Sequence, residues 1–241
     1  MSETEHGDES VQRYESAFKG FHVRTQQHSP TDVKRVEIAQ ELRLAIDELL
    51  ATSAPLEELE ETHKIINQAV SRLQSRPHSH EYVGPAEGSL APMNSFLDRS
   101  PIIGSINPLS APMRMGIDGD GGKDSIVVGH VTFTSAYEGP PGCVHGGFIA
   151  AYFDEVLGVA QSLSGNPGMT VNLTVDYRSL TPLSKPVVFR GWVASFDGRK
   201  ISVVGTLHHG ETLCAEAKGL FVSMRPEVFQ RLLEIRQAQL G

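Results

Sequence analysis

Two adjacent carboxylates, Asp154 and Glu155, stand inside the most apolar stretch of the chain, shortly after the segment VHGG at residues 144–147. Removing a carboxylate from water is costly unless it is paired or neutral, so acidic residues in such a stretch indicate a wet cleft or an interface. A carboxylate that faces solvent or pairs with an arginine is the structural alternative, and it suits Glu155 better than Asp154. Asp154 is therefore the first candidate for acid–base or nucleophilic chemistry, and Glu155 is the second.

The glycine pair Gly146 and Gly147 supplies a second chemical feature, because it opens a predicted helix over residues 146–163. The first N–H groups of a helix have no partner within it, and glycine lets a carbonyl oxygen approach them closely. Amides of this kind can polarise a carbonyl group. His145 precedes the pair, and a lone histidine at such a turn is more often a hydrogen-bonded structural residue than a general base.

The helix that carries these residues is apolar on nearly every side, so other elements must surround it. From about Ala111 the pattern changes to strands rich in Val, Ile and aromatic residues, and short turns with glycine join the later ones. The strands span residues 125–133, 169–177, 187–196, 201–208 and 213–224. Short connections favour antiparallel neighbours, so the sequence predicts the α+β class, with a curved antiparallel sheet wrapped around the helix.

Two further helices are predicted ahead of the sheet, one from Ser29 and Pro30 to about Thr52 and one from about Pro55. Their apolar residues recur at helical spacing: Ile38, Leu42, Ala45, Ile46 and Leu49 in the first, and Leu59, Ile66, Val70 and Leu73 in the second. Together they indicate a helical hairpin. It is either an arm for a partner or for oligomerisation, or an extension packed against the rest of the chain.

Composition divides the chain into three parts. Residues 1–80 form a polar N-terminus and the helical hairpin, residues 81–109 a linker rich in Pro, Gly and Ser, and residues 110–241 the main domain. A closing helix over residues 226–240 ends that domain.

The overall composition excludes several functions. The chain has 241 residues, of which 39% are hydrophobic, so it can bury a sizeable core. A net charge of −8 without a dense Lys/Arg cluster argues against nucleic-acid binding. Two cysteines and a polar, acidic start predict a cytoplasmic protein, and two carboxylates inside the most apolar stretch argue against membrane insertion. No His or Cys group has metal-site spacing, so we expect neither a metal nor another cofactor.

The segment HGGFIAAYFD at residues 145–154, with TVNLTVDYRSLTPL at 170–183 and FDGRK at 196–200, carries a family resemblance. It resembles the PaaI-type hotdog-fold acyl-CoA thioesterases, in particular their carboxyl-terminal modulator protein-like branch, over about residues 110–225. The resemblance implies a hotdog fold and hydrolysis of an acyl-CoA thioester to free acid and CoA. It also implies that the Gly147 amide polarises the thioester, that Asp154 acts as base or nucleophile, and that Thr170 positions the water.

The same resemblance gives His145 an orienting role. It also implies that acyl-CoA contacts Gly146 and four further residues. These positions are Asp176, Arg178, Arg199 and Lys200. CoA is a large anion, so positive charge along its path is expected even in an acidic protein. Relatives often carry Asn where Asp176 stands, and each basic residue could equally be a solvated charge at a strand end.

A length argument predicts the assembly. Gly147 and Asp154 are seven residues apart in one helix, which places them about 10 Å apart along its axis at 1.5 Å per residue. They cannot flank one carbonyl carbon from the same helix. If both act on one thioester, a second copy must supply one of them, so we expect a homodimer with two shared sites, or a tetramer.

Two other functions fit parts of the pattern. A hotdog hydratase or dehydratase would need an Asp-to-His spacing on one helix that this chain lacks. A non-catalytic acyl-CoA-binding module, with the N-terminal hairpin contacting a partner, is compatible with the sequence.

Overall fold

The computed structural model describes residues 29–76, 97–164 and 168–223, together with Arg231 and Ile235. Its centre is one antiparallel sheet of six strands in the order β1-β2-β4-β5-β6-β3. The strands are β1 (Arg114–Asp118), β2 (Ile126–Thr132), β3 (Gly168–Tyr177), β4 (Pro186–Asp197), β5 (Lys200–His209) and β6 (Thr212–Ser223). The predicted antiparallel sheet is therefore confirmed, and β3 forms one of its edges.

Tight turns with glycine set the strand order. Gly198 joins β4 to β5 and Gly210 joins β5 to β6, and both have φ near +57°. Glycine enters this left-handed region at little cost, whereas other residues are strained there. The turn at residues 119–125 joins β1 to β2.

The central helix, α3, spans Gly146–Ser162, as the apolar run predicts. It lies against the inner face of the sheet, and nine of its residues are buried. Phe153, Val156 and Leu157 are completely buried. Burial of that much apolar surface is the main force that holds the sheet around the helix.

The two N-terminal helices exist with the predicted limits, as α1 (Pro30–Ala51) and α2 (Leu56–Gln74). The Ser29 side chain caps the first by accepting a hydrogen bond from the Asp32 N–H. The apolar stripes face outward: Ile38, Leu42, Ile46 and Leu49 of α1 are 38–67% exposed, and Leu59, Ile66, Val70 and Leu73 of α2 are 37–65% exposed. Within the described part of the chain, Ile46 lines a cleft between α1 and the sheet, and the other residues of the two stripes remain largely exposed.

A polar stripe holds α1 to the sheet domain instead. The Arg43 guanidinium donates hydrogen bonds to the backbone carbonyls of Gly104, Ser105, Asn107 and Ser110. One turn later, the Asp47 carboxylate accepts hydrogen bonds from the Ser135 hydroxyl and the Ala136 N–H, at the start of a short 3-10 helix (Ser135–Tyr137). These contacts fix α1 against the loop before β1 and the turn before α3.

The segment before β1 packs tightly against the domain from residue 97 onward. Ile103 and Ala111 are buried in the core, and the Ile103 carbonyl accepts a hydrogen bond from the Met113 N–H. The predicted closing helix at residues 226–240 lies outside the described residues except for Arg231 and Ile235, which are helical. The limits of the predicted domains at residues 80 and 109 stay predictions.

Candidate active site

The first turn of α3 carries the predicted carbonyl-polarising amides. His145 is its N-cap residue, and the His145 Nδ1 accepts a hydrogen bond of 3.0 Å from the Gly147 N–H. Because Nδ1 accepts, this geometry fits an imidazole that carries no proton on that nitrogen. Both residues are exposed. A carbonyl oxygen that binds the Gly147 amide would take the place of the imidazole nitrogen.

Tyr177, at the end of β3, fastens the same turn. Its hydroxyl donates a hydrogen bond of 2.7 Å to the Gly146 carbonyl. A Cβ atom on Gly146 would lie 3.1 Å from that hydroxyl, tighter than ordinary contact, so a side chain there would push the tyrosine away. Tyr177 belongs to the motif VDYRS, but the sequence gives no signal that its hydroxyl reaches a carbonyl 31 positions earlier.

Asp154 and Thr170 meet at the middle of α3, two turns after Gly147. The Thr170 hydroxyl donates a hydrogen bond of 2.8 Å to the Asp154 carboxylate, and both side chains are exposed. The register of β3 against β6 shifts between Thr170 and Asn172. A bulge of this kind changes the direction in which a side chain points, and here the Thr170 hydroxyl points toward α3. The pair presents a hydrogen-bonded carboxylate to solvent.

Glu155 points to different neighbours than Asp154, because successive helical residues lie about 100° apart. Its carboxylate accepts a hydrogen bond of 2.7 Å from the buried Ser100 hydroxyl, in the segment before β1. Burial raises the pKa of Glu155 above its usual value, the Ser100 hydrogen bond opposes that shift, and the nearby charge of Asp154 adds to it. In this structure Glu155 fastens the segment at residues 97–104 to α3.

The predicted CoA contacts fall into two groups at opposite ends of β3. Asp176 and Arg178 lie near the Gly146 end, where the Arg178 guanidinium pairs with Glu216 at 2.9 Å and lies 3.8 Å from the Asp176 carboxylate. Eight residues separate Thr170 from Arg178, or about 26 Å at 3.3 Å per residue of strand.

The other basic pair lies at the Thr170 end. Arg199 donates two hydrogen bonds to the Ser223 carbonyl at the end of β6, and Lys200 pairs with Val222 in the β5–β6 ladder. The Gly168 residue that begins β3 pairs with the same Ser223. One chain therefore places Asp154 and this basic pair near the Thr170 end of β3. It places Gly147 and Arg178 near the Tyr177 end of that strand.

Neither a metal site nor a membrane span emerges from the described ranges. Within residues 29–76, 97–164 and 168–223, no three His, Cys, Asp or Glu side chains cluster in a way that could hold a metal ion. Among the helices of that same part, none is long and apolar enough to cross a bilayer.

The sheet wrapped around α3 defines the fold class as a hotdog fold, with the histidine–glycine turn at the start of the enclosed helix and the aspartate at its middle. The sequence pattern of the Thioesterase superfamily matches residues 141–216, which contain both the turn and the aspartate. A crystal structure described as a thioesterase superfamily protein is 33% identical, covers 78% of this chain and 94% of its own, and superposes with a TM-score of 0.69. The chain belongs to the thioesterase superfamily.

Curated relatives match the central part of the chain. Acyl-coenzyme A thioesterase THEM4 of Xenopus laevis is 37% identical over 91 residues, which are 37% of this chain and 41% of that protein. Acyl-coenzyme A thioesterase THEM5 of Homo sapiens is 30% identical over 95 residues, or 39% of this chain and 38% of that protein. The matches thus span about two fifths of the length of these relatives.

The structural match reaches further than the family pattern. Residues 97–241 account for 145 of the 241 residues, or about 60%, so a match over 78% of the chain includes residues before 97. The resemblance based on sequence motifs stops at about residue 110. Part of the N-terminal extension is therefore shared with that thioesterase superfamily protein.

Proposed function

We propose that the protein is an acyl-CoA thioesterase that hydrolyses a thioester to a free acid and CoA. The observation that carries this proposal is the exposed Asp154 carboxylate, held by the Thr170 hydroxyl at 2.8 Å. It stands in a chain whose family and curated relatives are thioesterases. A fixed carboxylate beside a hydroxyl suits the activation of water or a direct attack on a carbonyl carbon.

The proposed reaction uses groups from the first turn of α3 and from its middle. The Gly147 N–H binds the carbonyl oxygen of the thioester in place of the His145 imidazole and stabilises the negative charge that develops there. Asp154 removes a proton from a water molecule that Thr170 positions, or attacks the carbonyl carbon itself. On the general-base route the water oxygen bonds to the carbonyl carbon, the carbon–sulfur bond breaks, the acid is released and the CoA sulfur takes a proton. On the nucleophilic route the same bond breaks to leave an anhydride between the acyl group and Asp154, which water then hydrolyses to the acid and the free carboxylate.

The site is proposed to form between two copies of the chain. Gly147 and Asp154 lie about 10 Å apart along one helix, too far for both to act on one carbonyl group. The exposed edge strand β3 carries Met169, Val171 and Tyr177 at 53–57% exposure, and its outer backbone groups have no ladder partner in the described chain. An edge of this kind favours pairing with a second copy. The proposed assembly is a homodimer, with a tetramer as the larger form.

Positive charge for CoA would come from both copies. Arg199 and Lys200 lie on the side of Asp154, and Arg178 lies on the side of Gly147, in an ion pair with Glu216. A dimer that brings Gly147 of one copy to Asp154 of the other also brings these groups to one cleft. Cytoplasmic location and the absence of a metal or other cofactor stay predictions from composition.

Release of CoA thiol from a panel of acyl-CoA esters tests the proposed activity. The wild type is expected to release thiol, and Asp154→Asn is expected to lower kcat by at least about 100-fold because it removes the base or nucleophile. Asp124→Asn, in the exposed turn between β1 and β2, is the matched control and should retain activity. Calorimetry with CoA should show binding to Asp154→Asn like that of the wild type.

Two results would contradict this proposal. Wild type that hydrolyses none of the esters but binds them favours a non-catalytic acyl-CoA-binding module. Full activity of Asp154→Asn would remove Asp154 from the reaction and leave its hydrogen bond with Thr170 as a structural contact.

A further inference from the structure

A cleft of about 490 Å³ lies between α1 and the β1–β2 end of the sheet. This volume falls in the range of about 300–1,000 Å³ that is usual for small-molecule sites. Its apolar wall consists of Leu44, Ile46, Leu109, Ala111, Val131 and Phe148. Polar lining comes partly from Arg114 and His130, which face each other across the β1–β2 ladder. The cleft is therefore largely apolar with a polar part.

Hydrogen bonds fix the walls of this cleft. Arg43 and Asp47 hold α1 in place, and α1 contributes Leu44 and Ile46 to the lining of the cleft. The Tyr137 hydroxyl donates to the Leu109 carbonyl at 3.1 Å, which fastens the loop below. The Tyr152 hydroxyl donates a hydrogen bond to the Ala111 carbonyl in the same loop. A cleft that its own chain holds open is preorganised for a ligand.

Phe148 connects the cleft to the first turn of α3. It is the next residue after Gly147, so their Cα atoms are about 3.8 Å apart. Its half-buried ring lies 4.9 Å from that of Tyr137, which lines the cleft, and 6.2 Å from that of His145, which caps Gly147. Phe148 thus lies in the lining of the cleft and directly follows the residue whose amide is proposed to hold the thioester carbonyl.

We infer that this cleft receives the acyl group of the thioester and selects apolar acyl chains much longer than acetyl, such as decanoyl. The inference rests on the proposed function, because the carbonyl group must sit at Gly147 for its chain to enter past Phe148. A shorter acyl group leaves the apolar wall unfilled and gains less from burial. Helix α1 lies outside the family pattern at residues 141–216, so this selection is a property of the N-terminal extension.

Substitutions on α1 test the inference. Leu44→Trp fills the cleft from its wall, whereas Leu42→Trp adds the same bulk outside the lining, and the two leucines are similarly exposed, at 47% and 44%. Leu44→Trp is expected to lower kcat/KM for decanoyl-CoA by at least about tenfold and to leave acetyl-CoA within about twofold. Leu42→Trp should change neither value.

Calorimetry separates this inference from the proposed hydrolysis. In the Asp154→Asn background, decanoyl-CoA should bind more tightly than acetyl-CoA, and adding Leu44→Trp should weaken only the binding of decanoyl-CoA. That result supports the cleft even if the wild type hydrolyses nothing. Decanoyl-CoA binding and turnover that Leu44→Trp does not change, or that Leu42→Trp changes equally, would overturn the inference.

Discussion

At the scale of single residues, α3 shows why the two adjacent carboxylates behave differently. Asp154 lies at the helix surface with Thr170, whereas Glu155 turns toward Ser100 and the segment before β1. The family resemblance places Asp154 and Thr170 in one site, and the structure joins them by a direct hydrogen bond. The sequence does not predict the contacts of Ser100 and Tyr177, because these join residues 55 and 31 positions apart and leave no local pattern.

The Glu155 carboxyl makes stability depend on pH. Its pKa is raised above the ordinary 4.5, so the folded state binds the proton more tightly than the unfolded state. Stability from this group is therefore present at low pH and is lost as the pH rises from about 4.5 through the raised pKa. Glu155→Gln removes this loss and keeps an oxygen for the Ser100 hydroxyl. From pH 4 to pH 8 the wild type should lose stability relative to Glu155→Gln in urea unfolding.

Ser100→Ala provides the control for that measurement. The Ser100 hydroxyl stabilises the charged carboxylate, so its removal should cost more at pH 8 than at pH 4 when Glu155 is present. In the Glu155→Gln background the cost should not vary with pH. An equal pH dependence in the two backgrounds would contradict this account of Glu155.

At the scale of elements, the predicted limits of α1, α3 and the strands β2 to β6 agree with the structure because apolar periodicity, caps and glycine turns are local signals. The short strand β1 is not among the predicted strands. The sequence does not predict the face on which α1 docks. Its apolar stripe, which includes Leu42, is exposed, and the docking contacts come from Ala39, Arg43 and Asp47. Arg43 binds carbonyl groups of a loop 61–67 positions away, which no pattern within the helix reveals.

The Arg43 contacts predict how firmly α1 is held. Arg43→Ala leaves four loop carbonyls without their donor, and we expect it to lower the free energy of unfolding by about 2 kcal/mol or more. Arg35→Ala, which removes only an exposed ion pair with Asp32 on the same helix, should change it by no more than about 0.5 kcal/mol. Urea unfolding compares the two variants, and an equal effect would show that Arg43 does not anchor the helix.

At the scale of the whole molecule, the proposed account depends on a second copy. One chain places the Gly147 amide and the Asp154 carboxylate about 10 Å apart along α3, with the predicted CoA contacts divided between the two ends of β3. The sequence predicts this separation because the rise per residue of a helix is fixed, and the family resemblance implies that both groups act on one thioester. How two copies meet depends on the exposed edge of β3, which only the strand order reveals.

Complementation between two inactive variants tests the shared site most directly. Gly147→Val blocks approach to the amide and Asp154→Asn removes the carboxylate, so each homodimer should be inactive. A mixed dimer keeps one intact site, made of Gly147 from one copy and Asp154 from the other. Random assembly of the two variants by co-expression should restore about a quarter of the wild-type thioesterase activity, because half of the dimers are mixed and each has one of two sites. If co-assembled, folded variants recover no activity, or if sedimentation shows an active monomer, the shared site is contradicted.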